Sequence, residues 1–395
     1  MKELEFAALR KRFPGADDSI YLDVAARGLM SLDTREAIGR MLDDRVQGTS
    51  DKPSMFELIE RTRESYARLI NAEPDEVAFT KNVSEGLNII ISSYEWQPGD
   101  NVVLCPDLEH PNNIFPWHNL AKRVGITVKN IEPRDGRVSP EAVAEAIDEN
   151  TRMVTASSVT LAPGLRTDIS AISAFCRKRG ILLLVDGVQS VGILHTDVKE
   201  SGIDAMAVST QKGLLGLYGM GFLYCRRDWA ERMRPVYLAR FGIDMGGAHE
   251  AALGNDENRL ASGARRFDLG NYNFIGAAAA ESSIAMLLKT GTREIENHVN
   301  GLARNLANGL RDNGLPVVGG KSEADTGSIV SVGTVGEEQH DAVDDPAMAA
   351  LYDYLTAHGV RLSIRRGVLR FSLHLYNDAS DVTKVIELAK RAERR

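Results

Sequence analysis

Between residues 76 and 225 short apolar runs alternate with longer stretches whose apolar positions recur at helical spacing. The runs at 76–80, 101–105, 127–131, 153–157, 181–185, 205–209 and 221–225 predict strands, and the patterns at 84–94, 112–124, 139–148 and 169–179 predict helices between them. Several runs are apolar at every position, such as Ile-Leu-Leu-Leu-Val at 181–185, as a strand covered on both faces requires. Strand and helix in this order predict an α/β fold with a mostly parallel seven-stranded sheet and right-handed crossovers. After about residue 275 the texture changes: helical runs at 275–290 and 292–313 lead to strands at 328–332 and 368–372 and helices at 346–358 and 379–394. The expected organisation is an N-terminal helical arm at 1–18, a large domain at 19–274 and a smaller C-terminal α+β domain at 275–395. The polar, Gly-rich stretch 238–263 reads as a loop excursion, and no repeat or low-complexity tract appears.

Composition narrows the classes. The 395 residues carry 47 basic and 55 acidic side chains, a formal charge of −8 without a basic cluster, which speaks against a nucleic-acid partner. Cys105, Cys176 and Cys225 are too few for a disulfide scaffold and too scattered for a zinc site, so no metal is expected. The charged start MKELEFAALRKRFPG lacks a signal-peptide apolar run, and no stretch approaches the ~18 apolar residues of a membrane span. The expectation is a reduced, cytoplasmic enzyme without a membrane partner.

Five places carry candidate chemistry. Asp186 ends the apolar run at 181–185, at the strand end where open α/β sheets bind ligands; a capping aspartate is the plainer reading. Lys212 follows a strand and precedes a glycine-laden turn, where shielding from water lowers an amine's pKa; a snorkelling lysine is the alternative. The helix expected from Ser84 offers free backbone N–H groups to an anion, as every helix start does. His110 falls after the strand at 101–105, at the same sheet edge. In Leu-Arg-Phe-Ser-Leu-His at 369–374, alternation puts Arg370, Ser372 and His374 on one strand face, where the arginine suits a carboxylate. Together, an anion cradle, a flat imidazole, a buried carboxylate, a sequestered lysine and an arginine describe a pyridoxal 5'-phosphate site for an amino acid.

The order of these motifs, from Tyr-Leu-Asp-Val-Ala-Ala at 21–26 to Arg-Phe-Ser-Leu-His-Leu-Tyr-Asn at 370–377, resembles class V of the fold-type I pyridoxal-phosphate enzymes. That group includes cysteine desulfurases and isopenicillin N epimerase-like proteins. The resemblance implies that Lys212 carries the cofactor as a Schiff base and that Asp186 faces its ring nitrogen. Gln189 then meets the ring hydroxyl and His110 stacks on the ring, with Val83, Ser84, Ser209 and Gln211 around the phosphate. It further implies a homodimer in which Asn271 reaches the neighbouring subunit's phosphate. Arg370 would hold the substrate α-carboxylate beside Ala26 and Arg27.

The departures bear on the reaction. Val24 stands where relatives often have Asn, and Gln211 where desulfurases usually carry His before the lysine. Desulfurases also place a nucleophilic Cys between positions matching 328 and 370, and this chain has none there. The expectation is therefore an aminotransferase-like enzyme on an α-amino acid or amino-acid conjugate, working through a quinonoid intermediate, with C–S (β) lyase or epimerase chemistry as the alternative and a non-catalytic binding protein less favoured. The segments 26–31, 238–263 and 333–345 are the expected specificity loops.

Overall fold

The structure, a computed structural model, describes residues 2–246, 259–319, 327–336 and 342–392. The expected loops 238–263 and 333–345 therefore lie partly outside the described residues, at 247–258 and 337–341, as does the end of the helix expected at 379–394.

Seven strands form the large sheet: β1 (Val77–Thr80), β2 (Asn101–Leu104), β3 (Thr127–Asn130), β4 (Thr151–Ser157), β5 (Leu182–Asp186), β6 (Ala205–Ser209) and β7 (Gly221–Cys225). They lie in the order β1-β7-β6-β5-β4-β2-β3. Only β7 runs against its neighbours. Strands β5, β6 and β7 are buried at every position, which their unbroken apolar sequence anticipates. The reversal at β7 matters for chemistry. Strand β6 reaches the carboxyl edge at Ser209, and the chain must turn back between 210 and 220, so Lys212 is held at that edge.

A second, antiparallel sheet contains β8 (Val317–Val318), β9 (Ile329–Val332), β10 (Ser363–Arg365) and β11 (Val368–Ser372), in the order β10-β11-β9-β8. The helix Phe274–Thr290 leads toward it; its alanines 277, 279 and 280 are fully buried, and such small side chains permit close approach to the helices Leu32–Gln47 and Lys52–Leu69. The amino-terminal segment is part of this framework. Ile20–Tyr21 pairs in parallel with Val360–Arg361, and the Ser372 N–H donates to the Leu22 carbonyl at 2.8 Å. Arg10 clamps the preceding helix to Asp381 at 2.6 Å.

The short pairings at 20–21 and 360–361, and strands β8 and β10, are not among the predicted strands: runs of two or three residues are below the length at which periodicity is readable. The helix expected from 112 begins instead as a 3-10 turn, Pro111–Asn113, before the helix Phe115–Val124, because Pro111 and Pro116 lack the N–H groups a continuous helix would use there.

Edge strand β1 presents unpaired backbone groups on its outer side. Two buried side chains take them: the Arg63 guanidinium donates to the Val77 carbonyl at 2.5 Å, and Asp268 accepts from the Phe79 N–H at 2.9 Å. Arg63 and Asp268 also pair with one another at 2.8 Å, both almost wholly buried. The sheet edge is thereby closed to further strands. Asp268→Ala strands a buried guanidinium and should lower the unfolding free energy by roughly 3–5 kcal/mol, checked by chemical denaturation; a loss below about 1 kcal/mol would mean that water replaces the carboxylate.

Candidate active site

The candidate residues gather where β4, β5 and β6 end. Asp186, the last residue of β5, is 2% exposed. Its carboxylate accepts from the Val188 N–H at 3.0 Å, and its main-chain carbonyl from the Ser158 N–H. Burial pushes its pKa up to about 6, against the opposing effects of that N–H and of Lys212. Lys212 is partly buried, and its pKa is pushed down to about 8, first by desolvation and then by Arg370, with Asp186 acting the other way. The two groups thus lie within electrostatic reach, and at neutral pH the carboxylate is ionised while the amine has an accessible neutral form.

The backbone around Lys212 is held on both flanks. The Gln211 carbonyl accepts from the Gly28 N–H at 2.8 Å, and the Gly213 carbonyl from His374 Nε2 at 2.8 Å. A side chain at Gly28 would put its Cβ 2.5 Å from the Lys212 carbonyl oxygen, so glycine permits that approach. His374 is fully buried, with Nδ1 accepting from the Leu375 N–H, and burial lowers its pKa to about 4; it is a neutral pillar beneath the lysine turn. The expectation that His374 continues the strand face of Arg370 is corrected here. Strand β11 ends at Ser372, and His374 bends back because its ring is the donor that the Gly213 carbonyl needs.

Gln189 is buried and donates to the Ala25 carbonyl at 3.1 Å, so the segment 22–26 is drawn to the same edge. Ala26 follows in the turn, and Arg27 is exposed at its rim. His110 caps a short turn by accepting the Asn112 N–H on Nδ1 at 3.1 Å. Beside it, Glu109 is buried and receives the Ser157 N–H, the Ser157 hydroxyl and the Asn113 amide; burial raises its pKa to about 7 despite these donors.

On the other side lies the helix Val83–Ser93, which starts one residue earlier than expected and is capped by Asn82. Its first N–H, from Val83, donates to Ser209 Oγ at 2.8 Å, joining the helix start to the end of β6. Gly221 flanks this place. A Cβ there would meet the Val208 carbonyl at 2.4 Å and the Asn82 Cα at 3.1 Å, so the cradle exists only with glycine. The Thr80 hydroxyl, 2.8 Å from that same point, is buried without a hydrogen-bond partner among the described residues.

Arg370 is almost fully buried and donates to Ser363 Oγ at 3.2 Å and to the Leu161 carbonyl at 3.1 Å. Asn271 lies exposed ahead of the helix Phe274–Thr290. Residues absent from the sequence reading include Glu109, Asp23 and Arg365. Of these, Asp23 stands in the Tyr-Leu-Asp motif and Glu109 directly before His110 in a Glu-His pair, whereas Arg365 had no readable signal.

The sequence profile of the family "Aminotransferase class-V" matches residues 20–385. The chain belongs to that family. A probable cysteine desulfurase of Methanothermobacter thermautotrophicus is 32% identical over 296 residues, covering 73% of this chain and 72% of that protein. An uncharacterized aminotransferase of Schizosaccharomyces pombe is 29% identical, covering 97% and 95%. Among solved structures, the cystine C–S lyase C-DES in complex with its product cysteine persulfide superposes with a TM-score of 0.83 at 24% identity, covering 95% of this chain and 99% of that one, a likeness of fold. Family members are pyridoxal-phosphate enzymes, and the groups present fit that cofactor: a sequestered amine, a buried carboxylate for a ring nitrogen, and a glycine-walled helix start for a phosphate.

All three cysteines are free and buried. Burial raises the thiols of Cys105 and Cys176 to about 12 and that of Cys225 higher, so none is a thiolate at neutral pH.

Because the folded-state pKa of Asp186 lies above that of an unfolded aspartate, ionising it costs stability, and the cost grows from about pH 4 to about pH 6. Asp186→Asn should therefore stabilise the cofactor-free protein by roughly 1–3 kcal/mol at pH 7 and not at pH 4, read as melting temperature against pH. Equal shifts at both pH values would contradict this origin.

Proposed function

We propose that this chain is a pyridoxal-phosphate enzyme that acts on an α-amino acid or amino-acid conjugate by transamination. The observation that supports it most is the opposition of Lys212 and Asp186 across neighbouring strand ends in a site largely shielded from water. Lys212 holds the cofactor covalently and moves the substrate's α-proton. Asp186 keeps a proton on the ring nitrogen, which burial makes possible by strengthening any charge pair there. Gln189 donates to the ring hydroxyl, and His110 covers the ring face. Val83 and Ser84, with Ser209 and Gln211, surround the phosphate, and Arg370 fixes the α-carboxylate beside Ala26 and Arg27. When bound, the cofactor would supply an electron sink at the substrate's α-carbon. The residues then determine where the proton returns.

C–S (β) lyase chemistry is the second reading. One observation favours it over a desulfurase route: the chain has no thiol that can act, and expelling a β-substituent needs none. Epimerisation uses the same groups.

The functional unit is a homodimer in the cytoplasm. Its support is a set of exposed apolar side chains, Phe115, Tyr218, Tyr237 and Leu269 among them, with Asn271 beside Leu269. None of the described helices is long and apolar enough to cross a membrane.

Borohydride reduction of the holoenzyme should fix a pyridoxyl label on Lys212, found by peptide mass. Lys212→Ala should abolish the label and lower turnover by about 10²–10⁴-fold or more; a label on another lysine would overturn the assignment. Incubation with amino acids and thioether conjugates, scoring keto acid, pyruvate plus thiol, or an inverted stereocentre, separates the reactions. With the cofactor removed, capture of added pyridoxal phosphate should speed up as pH rises through about 8, where the lysine loses its proton. Asp186→Asn should move that midpoint down, since the carboxylate holds the amine's proton. A midpoint unchanged by this substitution would exclude the coupling.

A further inference from the structure

Among the buried groups that the proposed chemistry leaves unused is Glu109, next in sequence to His110. Its side chain is 4% exposed, and three donors converge on it. The Ser157 N–H reaches Oε1 at 2.6 Å, and the Ser157 hydroxyl and the Asn113 amide reach Oε2 at 2.7 and 2.8 Å. This set suits a carboxylate, because a glutamine here would turn its NH2 toward either the Ser157 or the Asn113 N–H.

Asn113 extends the grip. It is fully buried, and its Oδ1 accepts from the Thr155 hydroxyl at 3.0 Å, so one amide bridges Glu109 and Thr155. Thr155 and Ser157 lie two residues apart on β4 and share a face, and Ser157 stands opposite Asp186 in the register. Glu109 and Asn113 therefore fasten both ends of the segment 109–113 to one strand face, beside the strand end that carries Asp186.

His110 lies between these anchors with little freedom. Its backbone takes the extended form, φ −75° and ψ 145°, that a residue before proline prefers. Its carbonyl accepts from the Asn113 N–H at 2.8 Å and its Nδ1 from the Asn112 N–H at 3.1 Å, so the same turn directs the imidazole. A single 3-10 turn has poor hydrogen-bond geometry of its own, and the ties to β4 supply what it lacks.

We infer that Glu109 is a positioning residue: its carboxylate fixes the 109–113 turn to β4 and thereby sets the His110 imidazole against the cofactor ring, in step with Asp186. Its action passes through His110. This inference rests on the reading of His110 as the residue that covers the ring.

Two measurements test it without turnover. One is circular dichroism of the visible cofactor band of the holoenzyme, which reports how the ring is held. The other is the dissociation constant for pyridoxal phosphate, from absorbance titration of the cofactor-free protein. Glu109→Ala should diminish the dichroism and weaken cofactor binding by about three- to tenfold, the scale of one aromatic contact. Glu109→Gln, which keeps one acceptor oxygen, should fall between it and the unaltered protein, and with Ser157→Ala it carries the test should Glu109→Ala not fold. His110→Ala should show the same changes, and the double variant should go no further, since residues acting through one contact are not additive. Asp148→Ala loses bonds to Lys129, Asn101 and Thr151 at the opposite end of β4 and controls for lost stability; both readings should stay as they were. Glu109 variants with unchanged dichroism and affinity, a double variant that loses the sum of both effects, or an Asp148→Ala protein with the same changes overturns the proposal. A protein without a visible cofactor band defeats the proposed function. A coloured protein that responds to His110→Ala but not to Glu109→Ala defeats this inference alone, and one indifferent to His110→Ala defeats it together with the place of His110.

Discussion

A carboxylate and an amine withdrawn from water at neighbouring strand ends each make the other's charge tolerable. Asp186 alone at 2% exposure favours its neutral form, and Lys212 alone favours the free amine. Each offsets part of the cost of ionising the other, alongside the Val188 N–H that meets the carboxylate. The rest of the molecule serves to hold this opposition. Strand β5 carries the carboxylate at the end of an unbroken apolar run, and the reversal from β6 to β7 carries the amine.

The turn bearing Lys212 would be loose if left to itself, since its glycines contribute little packing. It is stapled by two elements distant in sequence. The segment around Gly28 caps one side, and His374, just beyond β11, caps the other. Both belong to a framework in which the amino-terminal segment and the second sheet share hydrogen bonds at Leu22 and Ser372. The lysine's position thus depends on the whole chain being folded, although every group near it is local to one edge.

Much of this was legible in the sequence. Strands β5, β6 and β7 stood out because buried strands are written as solid apolar runs, and Asp186 and Lys212 stood out only in company with the other motifs, since a capping aspartate and a snorkelling lysine account for each alone. The less visible features depend on tertiary placement. Glu109 became notable only once Ser157 and Asn113 were seen to surround it. Strand β10 is three residues long with no readable period, and that its Ser363 stands opposite Arg370 and accepts from it is visible only in the register. Nothing in the amino-acid pattern distinguishes His374 as a pillar from His374 as a strand-face residue, because the deciding partner is a carbonyl 161 positions earlier.

The hairpin of β10 and β11 also bears on how this chain could change. A thiol-dependent reaction needs a sulfur that can travel to the substrate and away again. Within the stretch between 328 and 370, the hairpin of β10 and β11 turns in two residues, Arg366 and Gly367, and the Arg366 guanidinium is fastened across to the Asp107 carbonyl. A cysteine at Gly367 would have to take a left-handed backbone, and one at Arg366 would give up the guanidinium's ties to Asp107 and Gly336, so either exchange unsettles the turn that fixes this hairpin.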